Sequence, residues 1–186
     1  MIATSSVYTT ENDVIQGCIK RDPRAQKALY DRFASKMLPV CMRYTGGRAK
    51  AEDVLHDGFI VIFEKIGSYS GDGSFEGWVR RIFVNTALMS LRKADVMKFS
   101  DELSNAEREY STESSALSSI SSKELMSLIA SMPIGFRVVF NMYAIEGFSH
   151  QEIAKELNIS EGSSRSQLSR ARVWLQNRLK DIDIKE

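Results

Sequence analysis

Arg165, Arg170, Arg172, Arg178 and Lys180 succeed one another through a stretch, Glu161 to Lys180, whose only acid is Glu161 itself. An acid is favoured at that position if residue 161 opens a helix, because the free amides of a helix N-terminus carry partial positive charge. Leu168, Ala171 and Leu175 recur at helical spacing and take the buried side, which turns Arg165, Ser166, Ser169 and Arg170 outward from the first turns. Arginine bonds guanine edges or phosphate, and serine bonds phosphate or a base. Short polar residues beside arginines therefore suit a helix lying in a major groove of DNA. A lone basic helix is more often a solvated face, so the segment before it has to decide.

That segment is Gly147 to Ser160. Ser149 followed by Glu152 forms a capping box, in which hydroxyl and carboxylate satisfy each other's free backbone amides, so a helix begins at His150. Ile153, Ala154 and Leu157 give it a buried side. Asn158 tolerates the left-handed conformation that ends a helix, Ile159 fills the corner, and Ser160 caps a second helix from Glu161. Two short helices on a tight turn, the second basic, make a helix-turn-helix, and the groove reading is preferred.

Other candidate chemistry is thinner. Gly67 to Ser74, Gly-Ser-Tyr-Ser-Gly-Asp-Gly-Ser, is a loop that can cradle phosphate, but no lysine follows its glycines, which argues against nucleotide hydrolysis. Asn85 stands in an aromatic-rich helix and on spacing alone reads as a satisfied core polar group; Trp78 reads as core rather than as a wedge. His56 and His150 are isolated, and no nucleophile or metal-carboxylate cluster is apparent, so no catalytic residue, metal, cofactor or small-molecule substrate is expected. Cys18 and Cys41 lack metal spacing and read as core thiols of a reducing, cytoplasmic compartment. With no apolar run of membrane-spanning length, and no basic segment followed by an apolar one in the first residues, a soluble protein that is not exported is expected.

The elements that position these residues are all helical. The chain has 186 residues, 43% of them apolar, enough for one domain or two small ones. Its net charge of +1 conceals an uneven distribution, with Glu52, Asp53, Asp57 and Glu64 in one acidic helix and Arg80, Arg81, Arg92, Lys93 and Lys98 in a basic segment after it. Before Glu11 the chain reads as a flexible arm. Asn12 or Asp13 caps a short helix, and Asp22-Pro23 starts the next, which carries Ala25, Ala28, Leu29, Phe33, Met37 and Leu38. Pro39 is expected to kink or divide that helix. Gly46-Gly47 breaks the chain before a helix from Ala51 to Lys65, and Ser74 caps the one carrying Phe75, Trp78, Val79, Ile82, Phe83, Ala87 and Leu91.

From about residue 94 the apolar rhythm fades into serines and acids, a mobile linker. It returns at Leu125, Leu128, Ile129 and Met132, and again from Gly135 to Ile145 with Phe136, Val139, Phe140 and Tyr143 as core candidates. No strand-like alternation occurs. The expected fold is all-α: two small helical domains, 12–94 and 123–182, joined by an acidic, serine-rich linker at 95–122, the second containing the helix-turn-helix.

Four segments in this order carry a resemblance: Ala51-Glu-Asp-Val-Leu-His-Asp-Gly-Phe59, Gly73-Ser-Phe-Glu-Gly-Trp-Val-Arg-Arg-Ile-Phe-Val-Asn85, Met132-Pro-Ile-Gly-Phe-Arg-Val-Val-Phe140 and Gly147 to Leu175. Together they resemble the extracytoplasmic-function (ECF) class of bacterial sigma factors within the sigma-70 family, over about residues 12 to 180, with wording most like sigma factors of Bacteroidetes-type bacteria. The resemblance implies a non-enzymatic factor that binds core RNA polymerase and directs promoter-specific transcription initiation. Residues 12–94 would be sigma region 2 and 123–182 sigma region 4, with the linker passing the polymerase RNA-exit region.

The resemblance also assigns roles. Asp53, Leu55, His56 and Phe59 belong to the helix that docks on the polymerase clamp, with His56 where relatives usually have glutamine. Tyr69, Arg80, Arg81 and Asn85 belong to the element that opens the minus-ten region, which changes Asn85 from core polar group to contact for an unstacked base of the melted single strand. Arg165, Ser166, Ser169, Arg170 and Arg172 fall on the duplex minus-thirty-five element, and Ser163-Ser164 stands where many relatives have threonine and valine. Many relatives are held inactive by an anti-sigma protein, so one is expected here. The rivals are a stand-alone dimeric regulator, which leaves the acidic helix and Asn85 without a role; a recombinase or nuclease; and a decoy that binds polymerase but no promoter.

Overall fold

Helix α1 (Glu11–Ile19) begins at Thr10, whose hydroxyl accepts from the amide of Asp13 while the Asp13 carboxylate accepts from the amide of Thr10. The cap thus lies before Asn12 and Asp13, because aspartate works here as the reciprocal acid of a box and not as the cap. These coordinates come from a computed structural model, which describes residues 8, 10–93 and 121–183. The linker expected at 95–122 lies outside them except for Ser121 and Ser122, and so does most of the N-terminal arm. Of the arm, Thr10 and Tyr8 are described: the Tyr8 hydroxyl donates to Asp22 at 2.7 Å, and its ring covers Gly17.

The described residues are helices and their connections, without a strand. The chain divides into two compact units, residues 1–90 and 91–186. In the first, α2 (Pro23–Thr45) starts with the expected Asp22 cap and Pro23, and ends at Gly46, which takes a φ of 74°. Pro39 neither divides nor ends α2. It offers no N–H to the carbonyl of Ser35, yet the helix runs on because Pro39 is on the exposed side while Phe33, Met37, Val40, Cys41 and Tyr44 hold the inner side in the core. A turn at Gly47 leads to α3 (Arg48–Lys65), a short 3-10 turn (Ile66–Ser68) and the glycine-containing loop to α4 (Phe75–Lys93). Ion pairs Arg32–Glu11 and Lys36–Glu76 join α1 and α4 to α2, each at 2.7 Å and exposed, so the apolar contacts carry the stability.

Those contacts are dense. Phe33, Phe75, Phe83, Leu29, Met37, Ile62 and Leu88 are fully buried. Gly58 lets α3 come against Phe83: a Cβ there would lie 2.3 Å from Cε1 of that ring. Cys18 and Cys41 are free, buried thiols. Burial pushes the Cys18 thiol up to about 11 and the Cys41 thiol to about 12, so neither forms appreciable thiolate at neutral pH. Native protein at pH 7.5 is therefore expected to resist alkylation until it is unfolded in denaturant, and mass spectrometry of the adducts checks this.

In the second unit α5 (Ser122–Ser131) opens on a Ser121–Glu124 capping box, and α6 (Ile134–Phe140) runs straight into a π-helical turn, Asn141–Ile145. Arg137 is buried and donates to the carbonyls of Ala130 and Met132 at 2.6 and 3.2 Å, satisfying the C-terminal end of α5. The core residues are Val138, Val139 and Met142; Phe136 and Phe140, which precede the π turn, lie beside that stripe and are half-buried, and Tyr143, within the turn, is exposed. Helices α7 (His150–Leu157) and α8 (Glu161–Asp183) complete the unit. Among the described residues no helix is long and apolar enough to cross a membrane.

Candidate nucleic-acid interface

The α7–α8 pair is built as its caps require. Ser149 accepts from the amide of Glu152 and donates its own amide to the Glu152 carboxylate at 2.8 Å. Asn158 takes φ 55° and ψ 48°, and Ser160 accepts from the amide of Ser163 at 2.9 Å. Ile153, Leu157, Leu168 and Ala171 are buried between the helices; Leu175 is only half-buried. Arg165, Ser166, Ser169 and Arg172 are exposed and Arg170 half-exposed.

The protein partners of Arg165 and Arg172 shape what these two side chains present. Arg165 pairs with Glu161 one turn earlier at 2.7 Å, and the guanidinium of Arg172 lies 5.9 Å from the centre of the Tyr143 ring. Tyr143 also stacks on His150, with ring centroids 4.6 Å apart, and Nδ1 of His150 is 2.9 Å from Oγ of Ser164. Ser163 and Ser164 thus differ in environment: the first is exposed at the cap, the second wholly buried. A closer count from the sequence finds Ser164 as a core position, since it continues the Leu168–Ala171–Leu175 seam backward by four residues. Nothing in the sequence singles out His150 as its partner.

In the first unit the loop before α4 is closed by Tyr69, whose hydroxyl donates to the carbonyl of Gly73 at 2.8 Å, and Ser74 caps α4 by accepting from the amide of Gly77 at 3.0 Å. The Tyr69 ring packs on Phe75 and Trp78 at 5.1 and 5.6 Å, and Phe75 and Trp78 lie nearly parallel at 15°. Phe75 is buried; Tyr69 and Trp78 are half-buried, an aromatic shelf with an accessible side, so Trp78 is only partly the core residue expected. Asn85 is exposed, which overturns the core reading from spacing. Phe75, Val79, Phe83, Val84, Ala87, Leu88 and Leu91 are the buried positions of α4, and Asn85 lies off their stripe. Arg81 is exposed one turn before Asn85 on the same side, and Arg80 is half-exposed.

The third candidate surface needs a correction. Leu55 and Phe59 are 7% and 3% exposed and belong to the core, where the Phe59 ring meets Tyr30, Phe63 and Phe83. They cannot be contacts on the outer face of α3, because that core needs them as the link from α3 to α2 and α4. The outer face instead presents Asp53, His56, Asp57, Ile60 and Glu64 at helical spacing, all exposed. Ile60, not singled out from the sequence, is 46% exposed in this acidic row.

Residues 29–96 match the family model for sigma-70 region 2, and residues 122–175 that for sigma-70 region 4. The chain is 27% identical over 188 residues to the ECF RNA polymerase sigma-E factor of Escherichia coli K12, covering 95% of this chain and 98% of that one. It is 26% identical over 191 residues to the RNA polymerase sigma-H factor of Pseudomonas aeruginosa, with the same coverage. Its fold is similar to that of the Bartonella quintana sigma factor RpoE, solved in complex with the anti-sigma factor NepR, at a TM-score of 0.52, 20% identity, and coverage of 83% of this chain and 96% of that one. With region 2 and region 4 present in order, and relatives matched along nearly their whole length, the chain belongs to the sigma-70 family of RNA polymerase sigma factors, in its extracytoplasmic-function group.

Proposed function

We propose that three surfaces divide the work of promoter-specific transcription initiation. The acidic outer row of α3, with Asp53 and His56, docks on core RNA polymerase. Tyr69, Arg80, Arg81 and Asn85 hold an unstacked base and its backbone at the minus-ten region. Arg165, Ser166, Ser169, Arg170 and Arg172 read the duplex minus-thirty-five element from the major groove. Residues 12–94 act as the first module and 123–182 as the second, with 95–122 between them. The observation that carries this reading is that one chain exposes both a helix-turn-helix face with three arginines and, on a separate unit, Asn85 and Arg81 behind an aromatic shelf.

The physics is that of two weak contacts made strong together. Polymerase holds the two modules at a fixed separation, so the second contact forms at high effective concentration and the spacing of the promoter elements is read along with their sequence. Capture of the flipped base offsets part of the unstacking cost and ties melting to recognition. The chain itself performs no catalysis; polymerase makes the RNA. It acts in the cytoplasm of a Bacteroidetes-type bacterium, and an anti-sigma protein holds it inactive, as NepR accompanies the Bartonella factor.

The deciding experiment is promoter opening by the purified chain with core polymerase of the same organism, on genomic fragments, with a reporter of base unstacking. Polymerase-dependent opening followed by transcription is the expected result. Tight duplex binding without affinity for polymerase would replace this reading with a stand-alone regulator, and polymerase binding without opening of any fragment would favour a decoy.

Two further results are expected on the promoter so recovered. Arg165→Ala and Arg170→Ala each weaken holoenzyme binding by roughly 5- to 100-fold, the range for one lost base or charged contact, and leave polymerase affinity unchanged. Glu161→Gln strengthens it about twofold, because the Arg165–Glu161 pair competes with phosphate and an exposed pair of this kind is worth only about 0.3–0.5 kcal/mol. Fluorescence anisotropy with labelled promoter measures both.

A further inference from the structure

We infer that His150 is a positioning residue for promoter recognition, setting the angle of α8 through Ser164 and the guanidinium of Arg172 through Tyr143. The inference rests on the reading that α8 lies on the upstream promoter element. His150 is the first residue of α7, and its Nδ1 meets the Ser164 hydroxyl at 2.9 Å. Ser164 is 0% exposed and sits in the first turn of α8, immediately before Arg165. A hydroxyl shut away from water must keep a partner, so this bond ties the start of α8 to the start of α7.

The same imidazole stacks on Tyr143, with the planes 23° apart, and the Arg172 guanidinium lies over that tyrosine. Tyr143 belongs to the π turn, which displaces it from the core positions of α6 and brings it beside α7. One side chain thus connects the π turn to α8 at two places, Ser164 directly and Arg172 through the tyrosine. These flank the exposed residues Arg165, Ser166 and Ser169.

Base contacts depend on the angle and depth of a recognition helix, whereas contacts to phosphate are more tolerant of both. Loss of the His150 bond is therefore expected to lower affinity for the correct upstream element and to spare binding to a scrambled one. A residue that merely stabilised the unit would not discriminate between the two promoters.

The test uses holoenzyme, the full chain bound to core polymerase, on the promoter recovered as above and on the same fragment with its upstream element scrambled. His150→Phe keeps a ring against Tyr143 but leaves the Ser164 hydroxyl unbonded; affinity for the native promoter is expected to fall about tenfold, the scale of one lost buried hydrogen bond, with no change on the scrambled fragment. His150→Asn, whose amide occupies the place of Nδ1, should restore most of the loss. His150→Phe combined with Ser164→Ala removes the stranded hydroxyl without remaking the bond, so it keeps a folded unit available for measurement and should not recover the affinity.

The inference is overturned if His150→Phe binds as the parent does, if it loses affinity equally on both fragments, if His150→Asn does not recover binding, or if the double variant recovers it without the bond. Arg165→Ala separates the two possible faults. If it weakens native binding while His150→Phe does not, the positioning role alone fails. If Arg165→Ala also has no effect, the placement of α8 on the upstream element fails, and this inference with it.

Discussion

Gly58→Ala should destabilise the first unit by about 2 kcal/mol, although alanine is the better helix former by about 1 kcal/mol. Gly58 lies within α3 with its Cα toward α4, and an added methyl group would stand 2.3 and 2.4 Å from Cε1 and Cδ1 of Phe83. That ring cannot swing aside, since it is 0% exposed and packed edge-on against Phe59 at 5.2 Å. Overpacking a closed core costs about 1–3 kcal/mol or somewhat more where ring and backbone must both move, which outweighs the gain in propensity. Thermal unfolding followed by circular dichroism should show the first unit melting roughly 10 °C lower, given about 4–8 °C per kcal/mol for a domain of this size. Gly58→Ala paired with Phe83→Leu should recover part of the loss, because the shorter side chain frees the space. An unchanged melting temperature for the single variant would mean that α3 and α4 are not packed this closely.

Asn85→Ala should lower promoter opening by roughly 10- to 100-fold while leaving polymerase binding and the melting temperature essentially unchanged. Asn85 is exposed, so removing its amide creates neither a cavity nor a stranded buried group, and surface changes of that kind stay within about 0.5 kcal/mol. Its side chain offers both a donor and an acceptor from a helix whose previous turn carries Arg81, a pairing suited to a base edge and its phosphate. Stopped-flow fluorescence of an unstacking reporter measures the opening rate, and anisotropy with labelled polymerase measures the affinity. A template opened in advance by mismatches should restore transcription by the variant, because the unstacking energy has then been supplied by the mismatch. Equal loss on closed and opened templates would move Asn85 out of the melting step.

The contrast between Asn85 and Leu55 shows how the two levels of description differ. Both lie in amphipathic helices, where spacing among neighbours places the one and a motif the other. Asn85 reads as core among aromatic neighbours yet is exposed, and Leu55 and Phe59 read as partner contacts yet are buried. In each case the position relative to the buried stripe, not the chemical character of adjacent residues, decides, because successive helical residues are turned by about 100°.

What the sequence by itself determined is local. The helices, their order and most of their ends follow from apolar spacing and from caps such as Asp22-Pro23, Gly46 and Ser149–Glu152, whose hydrogen bonds form between residues only a few positions apart. The basic face of α8 follows as well, since the acids and arginines are set by position on one helix. Tertiary structure alone decided which residues meet across elements: Gly58 with Phe83, His150 with Ser164 and Tyr143, and the phase change of the π turn that leaves Tyr143 outside the core. Such pairings depend on interhelical distance and on how side chains fill the space between helices, and neither quantity has a period that can be read along one chain.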